Sequence, residues 1–407
     1  MKTDYIHRSI EPVLRKVVDQ FPCAALTGPR QSGKSTLLKN VYPEYTYVSF
    51  DDPLHREQAI SDPNLFLDEM GEKVVLDEIQ YVPELLSYIK VRIDEKRSLK
   101  GQYILTGSQQ FSLIKNIGDS LAGRVGILEL LPFTIFEIEK VSGMKTVTKD
   151  PLALFCHVCL RGGFPELNIQ KGMDAHQWYG AYLQTYLERD IRTVYNIGSL
   201  RDFRNFIQML AARCSQELNL SALSKQLGVS VNTLKSWISV LEACRIIYLL
   251  MPYYNNFGKR IVKAPKVYFT DSGLVTYLVG IQTKDSLLKG PMAGALFENY
   301  CVQELIKAAL NRGHRPRMHY LRTHNGLEVD LILEREVGTV IPAECKMTKT
   351  PKISMASNID RFRSVFDKLN VQDGRLLTLV SSDRFIKRDV KAVHLKEFIS
   401  ECIDMNF

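Results

Sequence analysis

Leu26-Thr27-Gly28-Pro29-Arg30-Gln31-Ser32-Gly33-Lys34-Ser35-Thr36 is the stretch that decides how the N-terminal part of this chain folds. It satisfies the glycine-rich phosphate-loop pattern in full, with a glycine at each end of the loop and Lys-Ser directly after the second. The flanks suit it: Ala24 to Thr27 predicts a short apolar strand, and Ser35 to Val41 predicts a helix. A strand that runs through such a loop into a helix points backbone N–H groups and the positive end of the helix dipole at a phosphate. Gly28 and Gly33 permit the tight backbone. Pro29, Arg30, Gln31 and Ser32 span the loop, and Thr36 closes the binding stretch. Lys34 would reach the β- and γ-phosphates, while the Ser35 hydroxyl would complete a magnesium shell.

Further along, Lys73-Val-Val-Leu-Asp77-Glu78 reads as a buried strand ending in two acids. Asp77 is placed to hold the magnesium, and Glu78 to polarise a water for attack on the γ-phosphate. A third apolar strand, Gln102-Tyr-Ile-Leu-Thr106-Gly107-Ser108, ends in hydroxyls, and a polar side chain there, Ser108 among them, would orient that water. Leu121-Ala-Gly123-Arg124 then brings an arginine that would sense the γ-phosphate, in cis or across a subunit interface. An ion-paired or solvated arginine is the competing reading. Tyr45 to Phe50 predicts one more strand, and its terminal Asp51 and Asp52 carry no assignable role.

Strands near 24, 45, 73, 102 and 124, with helices at Ser35 to Val41, Asn64 to Met70 and Leu85 to Lys96, describe an α/β layer architecture with a mainly parallel sheet. Nothing pairs the acidic strand directly with the phosphate-loop strand, and the hydroxyl-ended strand would sit between them. In this respect the first third of the chain resembles the AAA-like branch of P-loop ATPases.

Composition sets the outer limits. At about 150 residues per domain, 407 residues make two to three domains. With 45% hydrophobic and 24% charged residues the chain is neither disordered, collagenous nor coiled coil. Its most apolar stretches, Arg245 to Tyr254 and Val125 to Ile138, are too short or interrupted for a membrane span. Asp4, His7, Arg8 and Glu11 stand where a signal peptide needs an apolar run, so a cytoplasmic protein without a membrane partner is expected. The eight cysteines are scattered and read as reduced thiols; Cys156-His-Val-Cys159 lacks a second ligand pair and reads as helix packing rather than zinc. The net charge of +8 permits an anionic partner without demanding one.

After Pro132 the pattern turns helical, with a polar break at Met144 to Asp150. Arg161-Gly162-Gly163-Phe164-Pro165-Glu166 marks a rigid turn, since two glycines and a proline cannot continue a helix. Trp178 to Tyr195 predicts a long amphipathic helix carrying Arg189 and Arg192, candidates for an arginine supplied to ATP or for helix-surface ion pairs. Asn219 to Leu249 reads as a winged helix-turn-helix. Leu220, Leu223 and Leu227 line one helix, and Leu234, Trp237, Ile238 and Leu241 the next, around a turn at Gly228 to Ser230. Ile246 to Met251 and Lys266 to Phe269 would form the wing strands. Asn232, Thr233, Lys235 and Ser236 would face a major groove, and Lys259, Arg260, Lys263 and Lys266 would meet phosphate. Packing or protein contact is the alternative use of such a module.

The last third offers Phe297-Glu298-Asn299 on a helix, then strands carrying Glu328-Val-Asp330 and Glu344-Cys-Lys346. Asp330 and Glu344 would lie side by side, with Lys346 on the face of Glu344 because strand side chains repeat every two residues. Two carboxylates can hold a divalent metal that activates water, and a lysine beside them can position it. The order resembles the restriction-endonuclease-like nuclease core, with Glu298 at the helical acid position. That resemblance implies a second divalent-metal site at Glu298, Asp330 and Glu344 with Lys346.

Nearly the whole chain resembles the prokaryotic family of AAA-type ATP-binding proteins with a C-terminal domain of unknown function. The implied layout is an AAA-like P-loop NTPase domain over 1–140, a helical and winged helix-turn-helix region over 150–285, and a small α/β restriction-endonuclease-like domain over 290–407. The implied ligands are ATP and Mg²⁺, and the implied activity is ATP hydrolysis. DNA, a protein partner and further copies of the chain are the partners it allows. Three functions stand open at this point: an ATPase controlling a DNA-associated C-terminal half, an ATP-regulated metal-dependent nuclease, and a non-catalytic ATP switch for a protein partner.

Overall fold

The computed structural model describes residues 5–107, 121–187, 199–253, 264–323 and 325–405. They form two compact units: Met1–Phe133 with the short stretches Ala243–Arg245 and Leu310–Gly313, and the rest of the chain.

The first unit alternates strands and helices: α1 (Glu11–Gln20), β1 (Cys23–Thr27), α2 (Lys34–Val41), β2 (Thr46–Ser49), α3 (Pro53–Ser61), α4 (Pro63–Met70), β3 (Val74–Asp77), α5 (Leu85–Glu95), β4 (Tyr103–Gly107) and β5 (Val125–Glu129). All strands are parallel, in the order β2-β3-β4-β1-β5. Every residue of β1, β3 and β4 is buried, as expected of strands covered on both faces. Alternation splits them between two cores. Ala24 and Leu26 join Leu37, Leu38, Val75 and Ile104 on one face, while Ala25 joins Val48, Phe66, Leu76, Ile89 and Leu105 on the other. Each fully buried Leu or Ile contributes roughly 1.5–3 kcal/mol.

All five expected strands are present, and α1 and α3 add to the expected helices. The acids after β2 account for α3: the Asp52 carboxylate caps it by accepting from Leu54 N at 2.9 Å, with Pro53 as its first residue. Asp62 caps α4 in the same way.

The second unit holds α6 (Pro151–Arg161), α7 (Ala175–Tyr182), α8 (Leu220–Leu227), α9 (Val231–Ala243), β6 (Ile247–Leu250), β7 (Lys266–Phe269), α10 (Ser272–Leu278) and α11 (Ala293–Leu310). The chain continues through β8 (Met318–Arg322), β9 (Glu328–Glu336), β10 (Thr339–Cys345), α12 (Ser357–Val365), β11 (Asn370–Val371), β12 (Gly374–Thr378), β13 (Arg384–Lys387), β14 (Val390–His394) and α13 (Leu395–Asp404). β6 and β7 pair antiparallel. The C-terminal strands form a mixed sheet in the order β13-β14-β12-β10-β9-β8, with β11 beside β10. Where one long helix was expected from Trp178, α7 runs into a π-helical turn at Leu183–Leu187. Arg189 and Arg192 lie outside the described residues. Cys156 and Cys159 are buried on α6, and none of the eight cysteines forms a disulfide. Among the described residues no helix is long and apolar enough to cross a membrane.

The Arg161 to Glu166 turn has a packing role. Asp271 caps α10 through Leu274 N at 3.0 Å, and the same carboxylate accepts from Gly163 N at 2.7 Å and from the Tyr179 hydroxyl at 2.5 Å. Gly162 has a φ of +73°, and a Cβ there would lie 1.8 Å from the Tyr179 oxygen, so only glycine fits. Arg161 turns inward on the same motif, donating to Leu167 O, and Glu166 accepts from the Trp178 indole at 2.9 Å. Asp271→Ala removes a cap, leaves the buried Gly163 N–H without its acceptor, and leaves the Tyr179 hydroxyl only the longer contact to Arg161 O at 3.4 Å. It should cost about 3 kcal/mol of stability, read by chemical denaturation of the full chain.

Candidate functional site

The loop between β1 and α2 is bent by three residues with positive φ: Gly28 at +147°, Gln31 at +63° and Gly33 at +93°. At Gly28 the backbone passes so close to the segment after β5 that a Cβ would meet Leu130 O at 2.1 Å. Gly33 occupies the N-cap of α2 and has no side chain to cap it, and the first turn carries no acid. The uncapped N–H groups of that turn are therefore free to meet an anion. The Ser32 hydroxyl is buried without a hydrogen-bond partner among the described residues. Lys34 is buried and folds back along the loop, donating to Gly28 O and Pro29 O, each at 3.0 Å. Burial holds its pKa below the ordinary lysine value, opposed by the nearby Glu78 and Asp77 carboxylates. Arg30 donates to the Tyr81 hydroxyl at 3.3 Å.

Asp77 ends β3 and gathers the site around it. Its carboxylate accepts from Ser35 Oγ at 2.9 Å, from Thr106 Oγ1 at 2.5 Å and from the Tyr47 hydroxyl. β4 lies between β3 and β1, so Thr106 of β4 reaches Asp77 from one side, and Tyr47 of β2 from the other. An oxygen-rich set made of a serine hydroxyl and a carboxylate suits a hard cation such as Mg²⁺. Glu78 follows in the left-handed region, with φ +58° and ψ +44°, and accepts a hydrogen bond from the Gln80 amide. A non-glycine residue held there is strained, a feature that clusters at functional sites.

Arg124 departs from the expectation for a γ-phosphate sensor in cis. It stands just before β5, at the edge where Cys23 pairs with Val125, whereas the phosphate loop leaves β1 at the other edge after Thr27. There it makes a two-pronged contact with Asp94 of α5, at 2.7 and 2.8 Å. The ion-paired alternative is the one that the contacts fit. Ser108 lies outside the described residues. Tyr47 escaped the sequence reading because nothing in an alternating strand marks which residue faces a neighbouring strand's terminal acid.

The second unit assembles its own charged cluster. The register Ala343↔Leu331 puts Glu344 beside Asp330, and Lys346 Nζ lies 2.6 Å from Glu344 and 3.5 Å from Asp330. Asp330 also accepts from Cys345 N at 2.9 Å. Glu298 on α11 accepts from Lys266 at 3.1 Å and from the Tyr268 hydroxyl at 2.5 Å, and Lys266 reaches Glu328 at 3.2 Å. Among the described residues no group of three or more His, Cys, Asp or Glu is arranged to hold a metal ion. The acids Glu298, Asp330 and Glu344 are matched by lysines instead, because a buried carboxylate needs a counter-charge. Lys266, expected to meet phosphate, is itself buried in this network.

Burial, with the Asp330 charge added, pushes Glu298 up to about 7 and Glu344 up to about 8. Burial works against the charged form of Lys346, yet Asp330 and Glu344 hold its pKa above the ordinary lysine value. In α9, Asn232, Lys235 and Ser236 are exposed, while Thr233 shares the helix start with Ser230, hydroxyl to hydroxyl at 2.9 Å. Lys259, Arg260 and Lys263 lie outside the described residues.

Comparison with known proteins divides the chain into three matched stretches. An AAA domain matches residues 20–139, a domain of unknown function (DUF8612) matches 152–285, and a second (DUF4143) matches 293–398. Uncharacterized proteins of Mycobacterium tuberculosis and Mycobacterium bovis are each 30% identical over 344 residues, 84% of this chain and 74% of theirs. Among solved structures, a Walker-type ATPase of Pyrococcus abyssi aligns with a TM-score of 0.47 at 17% identity, covering 68% of this chain and 97% of that one.

The raised carboxyl pKa values make stability depend on pH. A carboxyl whose folded pKa exceeds its ordinary 4.5 holds its proton more tightly when folded. Its stabilising contribution is complete below about pH 4.5 and is lost as pH rises through about 7 for Glu298. Denaturation midpoints should fall between about pH 5 and pH 8, and Glu298→Gln should flatten that fall.

Proposed function

The chain belongs to the family of the two mycobacterial proteins, its N-terminal unit carrying an AAA domain. From that premise we propose that it hydrolyses ATP and that nucleotide state controls a DNA-associated C-terminal half. The observation that carries the reading is the meeting of Ser35, Thr106 and Tyr47 on Asp77, one residue before Glu78. Loop N–H groups bind the phosphates, and Lys34, which here donates to Gly28 O and Pro29 O, would supply its charge to the β- and γ-phosphates. Ser35 and Asp77 would hold magnesium, which supplies charge neutralisation to the γ-phosphoryl group. Glu78 accepts the proton of the attacking water as the new P–O bond forms and ADP leaves. Thr106 fixes the Asp77 carboxylate and keeps it from rotating. Burial of Lys34 strengthens its electrostatic contacts with charges at the site.

The Glu78→Gln variant should bind ATP as wild type does and lose at least about 100-fold in kcat. Lys34→Ala should lose nucleotide binding. Hydrolysis by Glu78→Gln at the wild-type rate defeats the base assignment.

DNA association is supported by the +8 net charge and by the exposed Asn232, Lys235 and Ser236 along α9. A second reading, phosphodiester cleavage, is favoured by the contacts of Lys346 with Asp330 and Glu344. It requires a divalent ion to displace Lys346 from those carboxylates. Duplex binding, followed by anisotropy with ATP, with ADP and without nucleotide, should weaken steeply with salt and differ between the nucleotide states. The same DNA incubated with Mg²⁺ or Mn²⁺ separates the two readings. Cleavage lost in Asp330→Ala supports the nuclease; intact DNA in every condition leaves a binding half.

A further inference from the structure

The segment before α1 gives the phosphate loop a side chain that no part of the loop pattern includes. Arg8 is only 5% exposed, although arginine is a residue that is rarely buried unless paired. Its Nη1 donates to Ser32 O at 2.7 Å, its Nη2 donates to Leu131 O at 2.7 Å, and its guanidinium lies 4.9 Å from the centre of the Phe133 ring. Glu11 fixes the backbone from which Arg8 reaches, accepting from Arg8 N at 2.6 Å and from the Tyr5 hydroxyl at 2.8 Å.

The Ser32 carbonyl and the Gly33 N–H belong to one peptide unit, and in a trans peptide they point in opposite directions. Anchoring that carbonyl therefore fixes the direction of the Gly33 N–H on the other side of the loop. Lys34 does the same for the Arg30 N–H by holding Pro29 O at 3.0 Å. The second anchor of Arg8, Leu131, belongs to the segment against which Gly28 is pressed, where a Cβ would meet Leu130 O at 2.1 Å. One planar, two-pronged donor thus ties the Ser32 end of the loop to the strand exit against which Gly28, at the other end, is packed.

We propose that Arg8 is a positioning residue of the nucleotide site, holding the phosphate loop in the form in which the Gly33 N–H meets the phosphates of a nucleoside di- or triphosphate. This rests on the reading of the first unit as an ATP site. Arg8 acts through the loop backbone, setting the loop's donors in place before the ligand arrives, so its effect falls on binding more than on turnover. A lysine can keep one of the two hydrogen bonds but cannot span both carbonyls as a planar guanidinium does.

The test uses the full chain with Arg8→Met and Arg8→Lys, reading the Kd for a fluorescent ATP analogue, KM and kcat for ATP, and the melting temperature. Arg8→Met should raise Kd and KM about tenfold, the worth of one charge-assisted hydrogen bond, with kcat within about threefold of wild type. Arg8→Lys should fall between the two. A residue that only stabilises the fold would lower the melting temperature and the active fraction, hence kcat, with KM and Kd unchanged. That pattern, or wild-type values throughout, overturns the proposal. If Arg8→Met does not fold, Arg8→Lys gives the same comparison. A wild-type chain that binds no ATP would defeat the underlying reading instead, which the Lys34→Ala control makes distinguishable.

Discussion

One carboxylate at the end of a buried strand organises the first unit. Asp77 accepts from Ser35, Thr106 and Tyr47, which stand on α2, β4 and β2. A buried carboxylate with no acceptor capacity used would be costly, and three hydroxyl donors offset that cost. The arrangement is available only because β4 is inserted between β3 and β1. Were β3 beside β1, Thr106 would not stand between the loop strand and the acid. Sheet order, rather than the identity of any one residue, brings the hydroxyls together.

The loop itself is held from behind as well as shaped from within. Its carbonyls are taken by Lys34 and Arg8, and its tight bends fall on Gly28, Gln31 and Gly33. Fixing the carbonyls in a trans backbone leaves the N–H groups facing the other way. A phosphate then finds donors already oriented, which limits the ordering cost of binding. The strain at Glu78, a non-glycine residue with φ +58°, belongs to the same rigid frame.

The second unit solves a different problem, that of charge on otherwise apolar strands. Lys266 and Lys346 stand among Glu298, Glu328, Asp330 and Glu344, each lysine bridging two of the four acids, and the excess of carboxylates goes with the raised pKa values of Glu298 and Glu344. The sequence showed the acids and Lys346 at spacings that suit a metal-bearing core. It could not show that Lys266, on β7 and distant in sequence, would fold into the same cluster. Lys266 pairs Glu298 and Glu328 while Lys346 pairs Asp330 and Glu344, so the two lysines together turn the acids from open ligands into paired ones.

Much of the first unit was legible because its signals are local. A phosphate loop, an apolar run ending in Asp77-Glu78 and strands of continuous burial depend on neighbours along the chain, and each appears where the residues predict it. Glycine positions were legible for the same reason, since a positive φ is a property of the backbone at that residue. The Gly162-Gly163 turn was legible as a turn, but its partner Asp271 was not, for the two are far apart in sequence. Arg124 shows the limit from the other side. A lone arginine near a predicted strand fits a phosphate sensor and an ion pair equally, until the sheet places it at the edge opposite the loop and beside Asp94. By itself the sequence determined the strand-loop-helix chemistry of the nucleotide site, because that chemistry is written in consecutive residues. Only the tertiary structure decided the company of Asp77, the anchoring of the loop by Arg8 and the pairing of Lys266, because side chains far apart in sequence meet only once strand order and packing have fixed where each one ends.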